Sequence, residues 1–292
     1  MKPRNRLLTL YALIVYVFLF APIVVLIIFS FNDSKRSVNW KGFTLDWYPT
    51  LFTDQELLDA LSVTLRLALV VVIVSTIVGT LLGLALARVR FRGRGATETL
   101  LLLPMVTPEI IMGLSLLVFF SAAFGSRGSF TQLVFAQVTF CISYVAIVVR
   151  ARAAGMNAQL EEAARDLGAS ALGAFRYVTL PLVFPAILSG ALLAFALSFD
   201  DYVVTTFNAG VGSSTLPLYI YGKVKFGVTP EINAISTIIV AVTAVAVLIA
   251  WYSGQRRGEA RAVAEPDPTE IDALDDPGAE PGTGPAKAGA RA

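Results

Sequence analysis

The sequence predicts an all-α polytopic membrane protein with six transmembrane helices, on three observations. Of 292 residues, 56% are hydrophobic and 15% charged, and mean hydropathy is +0.71; soluble domains carry about 25% charged residues. Six apolar stretches, 7–31, 62–87, 99–120, 132–149, 182–199 and 232–252, reach or approach the roughly 20 residues a helix needs to cross a bilayer core. The third observation is a set of absences. There is no histidine and one cysteine, Cys141, which excludes Ser-His and Cys-His catalysis, His-based metal sites and an intrachain disulfide. No metal-ligand cluster and no GxxxxGK[ST] phosphate loop is present, so the sequence predicts no ATP hydrolysis by the chain itself. A net charge of +2 points to no nucleic-acid partner.

The first stretch follows Lys2, Arg4 and Arg6, is longer than a signal-peptide core and meets no A-x-A site before Asn32, so it is expected to stay as an anchor. Trp40, Trp47 and Tyr48 then suit an interfacial aromatic belt. Thr53-Asp54-Gln55-Glu56 reads as a capping box, starting a helix that runs to about Arg88 and is roughly 50 Å long. In the third stretch Pro104 and Pro108 should break or kink the helix. A regular helix there places Glu109 near the bilayer midplane, where a charge costs about 3 to 10 kcal/mol. Cys141, in the fourth stretch, reads as a small buried hydrophobe. Asp200-Asp201 closes the fifth stretch, about 28 Å of helix from Pro181. Glu231 opens the sixth as an ordinary solvated end. The Pro-, Gly- and acid-rich end reads as disordered, which divides the chain into a membrane domain, 1–254, and a disordered cytoplasmic tail, 255–292.

Lys and Arg orient the spans. With the N-terminus inside, 16 of the 23 basic residues fall in inner segments. This predicts a multi-pass protein of a bacterial cytoplasmic membrane with both termini in the cytoplasm. It also puts residues 157–181 on the cytoplasmic face.

That segment folds by simple rules. Asn157 is a fair N-cap, and Glu161 and Glu162 sit early in the helix, where the dipole favours anions. Leu160, Ala163, Ala164 and Leu167 share one narrow apolar face. Gly168 is a natural stop, and Ser170 can cap a second short helix carrying Leu172 and Phe175. A membrane-surface helix would want Lys and Arg beside bulky apolar residues; here Arg165 stands against Glu161, Glu162 and Asp166. The composition therefore predicts protein docking over lipid contact.

Glu162-Ala163-Ala164, Gly168 and Val178-Thr179-Leu180-Pro181 resemble the EAA motif of ABC-importer permeases, E-A-A, three residues, G, nine residues, I-x-L-P, with Val178 for Ile the only departure. The resemblance implies the type I ABC importer permease (MetI-like) fold. It further implies a coupling helix seated in a cytoplasmic ATPase subunit, with Glu161, Glu162, Ala163, Ala164, Asp166, Gly168 and Pro181 as ATPase-coupling residues.

The remaining acids bear on what is carried. Asp200 and Asp201 are followed by Tyr202, with Tyr219 and Tyr221 further along the loop, and carboxylates beside aromatic rings favour ammonium groups. Apart from Arg66 no basic residue lies within a span. A cationic substrate is the physical inference, with Glu109, Asp200, Asp201, Tyr202, Tyr219 and Tyr221 along its pathway.

FNDSKRSVNWKGFTLDWY, LPMVTPEIIMGLSLLVFF, LSFDDYVVTTF and VKFGVTPEINAISTI resemble spermidine/putrescine permeases of the PotC/PotI group over about residues 5–252. That pattern carries Asp where this chain has Glu109, whose side chain reaches further. The resemblance implies a homologous second permease (PotB-like), two ATPase subunits holding ATP-Mg, an extracytoplasmic polyamine-binding protein, and no cofactor on this chain. Two other readings are open on the residues. An ABC permease for another small solute fits the same motif. An ion-coupled secondary transporter using Glu109 would predict two similar halves, and 1–150 shows no repeat in 151–292.

Overall fold

The computed structural model describes residues 6–34, 39–126, 128–157 and 159–264. Lys2, Arg4, Lys35, Arg36, Arg127 and the tail from 265 onward lie outside the described residues. The elements are α1 (Arg6–Phe29), α2 (Trp47–Leu51), α3 (Gln55–Arg88), α4 (Arg94–Val106), α5 (Glu109–Phe124), α6 (Phe130–Ala154), α7 (Gln159–Asp166) and α8 (Ala171–Ala174). A π-turn (Phe175–Thr179) follows, then α9 (Leu180–Phe199), α10 (Val203–Asn208), α11 (Leu216–Val224) and α12 (Pro230–Ala264). Among the described residues five helices are long and apolar enough to cross a membrane, and the bent α4–α5 pair makes a sixth span if taken as one.

The chain divides into two units, Met1–Ile235 and Ser236–Ala292. In the first, α3, α6 and α9 form the core, with Leu67, Val71, Leu133, Cys141, Val145, Val149 and Val183 fully buried. Small residues let these helices close on one another. A Cβ on Gly83 of α3 would stand 2.6 Å from the Ala146 carbonyl oxygen of α6, and one on Gly79 would stand 2.7 Å from Val145 Cβ. A side chain at either position would hold α3 and α6 apart. In contrast, α1 buries none of its most apolar window, and only Ile23, Leu26, Ile27 and Phe29 near its end are partly covered. In the second unit, α12 continues as helix.

Three expectations change. The third stretch is no single rod: α4 and α5 meet at 112° across Thr107-Pro108. Thr107 is extended (ψ 131°) because a proline follows it, and Pro108 has no N–H to continue the ladder. Pro104 is absorbed inside α4. Glu109 is therefore the first residue of α5 rather than the middle of a span. Secondly, the cap of α3 is Asp54, whose carboxylate accepts from the Leu57 N–H at 3.1 Å. The capping box is displaced by one residue, and Glu56 reaches Lys223 instead, at 3.3 Å. Thirdly, residues 255–264 extend α12 as helix, so the boundary at 254 is not where helix ends.

Candidate functional site

The hairpin is built as its residues dictate. Asn157 Oδ1 accepts from the Gln159 N–H at 3.0 Å, and Ser170 Oγ from the Gly173 N–H at 3.1 Å. Gly168 takes a left-handed φ of +90°; its N–H donates to the Arg165 carbonyl, while that of Ala169 reaches back to Ala164. These two bonds are a Schellman stop, which closes α7 and frees the next residues for α8. A side chain at Gly168 would meet no atom within 4 Å, so added bulk there projects outward. Leu167 and Leu172 are 90% and 74% exposed, beside exposed Glu162, Ala163 and Asp166. These two leucines leave apolar surface on the hairpin that the described residues do not cover. Ala164 is half-buried, and Pro181 lies in the first turn of α9. Pro181 has no N–H to return to Tyr177, and the backbone widens into the π-turn just before it, with the Leu180 N–H bonding Phe175 O.

Glu161 departs from the expected docking set. Its carboxylate is paired with Arg88 at the end of α3, accepts from Arg165 at 3.3 Å, and takes the hydroxyl of buried Thr179 at 3.1 Å. It is turned into the protein, not out of it.

Four of the six expected pathway residues meet in one cavity of about 230 Å³. Glu109 comes from the α4–α5 break, and Asp200, Asp201 and Tyr202 from the break between α9 and α10; Phe140 and Tyr144 of α6 supply aromatic wall. Two interrupted helices thus turn their acids toward one space. Among the described residues neither Glu109 nor Asp200 makes an ion pair, and no Lys or Arg lines the cavity.

Asp201 is different. Its Oδ1 accepts from the Val204 N–H at 3.1 Å, and its Oδ2 from the Thr205 N–H at 2.9 Å, the Thr205 hydroxyl at 2.7 Å and Gln137 Nε2 at 2.9 Å. It caps α10 and ties it to α6. Tyr221 packs on Tyr202 with ring centroids 4.2 Å apart and planes tilted by 36°, so it backs the cavity wall without lining it.

Tyr219 lies elsewhere. Its hydroxyl donates to Asp54 Oδ2 at 2.6 Å, Lys223 Nζ stands 5.0 Å from its ring, and the Leu216 N–H donates to Thr64 Oγ1 at 2.7 Å. These contacts latch α11 to α3. Burial pushes Asp54 upward, but the Tyr219 bond, the Leu57 amide and the Lys223 charge together hold it below its ordinary 3.8. Burial first, then the Asp54 hydrogen bond, raises Tyr219 above its ordinary 10.0.

A buried polar network was not expected from the sequence. Asn208 Nδ2 donates to the Gly113 carbonyl of α5 at 3.0 Å, and Gln132 Nε2 of α6 donates to Asn208 Oδ1 at 2.9 Å. Ser198 donates to Gln137 Oε1. The network fixes α5, α6 and α10 around the cavity. Its signal was available: Gln132 and Gln137 interrupt an otherwise apolar span, where an amide must find a partner.

The family model of the binding-protein-dependent transport system inner membrane component matches residues 79–257. The chain belongs to this family. Two relatives of the permease extend the match across most of its length. The Escherichia coli "Putrescine transport system permease protein PotI" is 42% identical over 244 residues, covering 81% of this chain and 86% of the relative. The Haemophilus influenzae "Spermidine/putrescine transport system permease protein PotC" is 42% identical over 236 residues, covering 81% and 91%. Among solved structures, a bacterial alginate ABC transporter in complex with alginate pentasaccharide-bound periplasmic protein superposes with TM-score 0.66 at 21% identity, covering 87% of this chain and 96% of that one. The MetNI methionine ABC transporter gives 0.56 at 18%, covering 73% and 97%. The permease therefore has the type I ABC importer (MetI-like) fold and is a multi-pass protein of the inner membrane.

Proposed function

We propose that this permease carries polyamines, spermidine and putrescine among them, as the membrane-spanning subunit of an ATP-driven importer. The observation that carries the reading is the cavity between the two helix breaks, where Glu109 and Asp200 stand uncompensated among Tyr202, Tyr144 and Phe140. Carboxylates without a cation, held beside aromatic faces, suit a flexible chain of ammonium groups through ion pairing and cation–π contact. The amines for which the 42%-identical relatives are named agree with that chemistry.

Energy enters through the hairpin of α7, α8 and the π-turn, whose exposed Leu167 and Leu172 would seat in a cytoplasmic ATPase subunit. On this reading the chain has no nucleotide site and no cofactor of its own, and ATP-Mg is held by two ATPase subunits. A homologous second permease, PotB-like, completes the pathway, and an extracytoplasmic polyamine-binding protein delivers the substrate. Both termini lie in the cytoplasm, in keeping with 16 of 23 basic residues on that side.

The test is reconstitution of the chain with those partners in liposomes. Putrescine or spermidine, delivered by the binding protein, should stimulate ATP hydrolysis and accumulate inside. A complex that hydrolyses ATP without responding to either amine contradicts the substrate, and transport by the chain alone without ATP contradicts the class.

A further inference from the structure

We propose that Glu161 is a positioning residue, which locks the coupling hairpin to the membrane helices so that movement of α7 reaches α3 and α9. The proposal rests on the coupling role assigned to the hairpin above, and concerns a residue that the sequence groups with the docking face. Its side chain is only 20% exposed, on a helix whose other acids, Glu162 and Asp166, face solvent.

Three elements converge on this one carboxylate. Arg88 is the last residue of α3, one of the three core helices; Arg165 is one turn along α7; Thr179 ends the π-turn that leads into α9. Thr179 is 3% exposed, so its hydroxyl has Glu161 Oε2, at 3.1 Å, in place of water. Around the clamp the hairpin is thinly held: Leu160 and Leu167 are exposed, α7 buries no residue, and Gly168 lets the chain turn without side-chain contact. A short helix with so little packing cannot transmit force through its apolar contacts. A charge-assisted joint to two membrane helices can. Arg88 and Glu161 are one-quarter exposed or less on average, which keeps the pair partly out of solvent screening.

The joint is tested in the complete complex in liposomes, with three variants: Glu161→Gln, Glu162→Gln and the exchange Arg88→Glu/Glu161→Arg. In Glu161→Gln the ATPase subunits should co-purify as in the wild type, while putrescine moved per ATP falls at least about five-fold, the lower range of coupling between sites. Glu162→Gln should instead weaken co-purification. The charge exchange should restore at least half of the lost transport per ATP, which a general loss of structure would not allow. The proposal is overturned if Glu161→Gln loses the ATPase subunits, if its transport per ATP is unchanged, or if the exchange restores nothing. A wild-type chain that fails to bind the ATPase subunits at all would overturn the coupling role itself and not the joint alone.

Discussion

Carboxylates are used in opposite ways at the hairpin and at the cavity. In the hairpin, Glu161 is surrounded by Arg88, Arg165 and Thr179, and its charge is met inside the chain. In the cavity, Glu109 and Asp200 face a space with no basic residue around it. An acid that the chain satisfies itself holds structure; an acid it leaves bare is free to meet a cation, as the proposed polyamine pathway requires. Asp201 sits beside Asp200 in sequence yet belongs with Glu161, because it is fully occupied in capping α10.

Neutralising the bare acids one at a time should break the cavity side of this contrast most strongly. Each charge-assisted bond to a cation is worth about 1.5–3 kcal/mol. Glu109→Gln and Asp200→Asn should therefore each lower radiolabelled putrescine uptake by about 10-fold or more, with the protein melting as the wild type does.

Asp201→Ala should do the reverse, and lower stability first. It removes the α10 cap and the shorter of the two bonds made by the Gln137 amide nitrogen, a loss of about 2–3 kcal/mol that a thermal melt would register. Uptake lost without any change in melting would place Asp201 among the substrate contacts.

Gly168→Leu probes the hairpin. A left-handed residue other than glycine costs about 1–2 kcal/mol, and the new side chain points into open space. The spans should stay folded while ATPase subunits co-purify poorly.

The smallest effect is expected at the α3–α11 latch. Tyr219→Phe removes one hydrogen bond to Asp54, worth about 1 kcal/mol. The pH signs follow from linkage. Asp54 is held below 3.8, so its contribution is present above that pH and fades as pH falls below it; Tyr219 is raised, so its contribution is present below 10.0 and fades above it. The melting difference between wild type and Tyr219→Phe should shrink outside that window.

Much of this was legible in the sequence because it depends on local rules. The spans follow from apolar length, the stop at Gly168 and the caps at Asn157 and Ser170 from residue type, and the break near Pro108 from the missing N–H. What escaped depends on partners distant in the chain. Nothing near Glu161 announces Arg88, 73 residues away, and nothing near Tyr219 announces Asp54, 165 residues away. Asp200 and Asp201 are chemically identical in sequence, and only the backbone turn into α10 decides which one is spent as a cap. For Glu109 the expected geometry was a straight span, whereas a sharp bend brings it to the cavity.

The most direct measurement is putrescine uptake and ATP hydrolysis in the same vesicles, comparing the wild-type complex with one carrying Glu109→Gln and Asp200→Asn together. With the cavity acids receiving the cation, uptake should fall to background while the ATPase subunits remain bound and active through the untouched hairpin. Uptake equal to wild type in the double variant would contradict the assignment of the cavity.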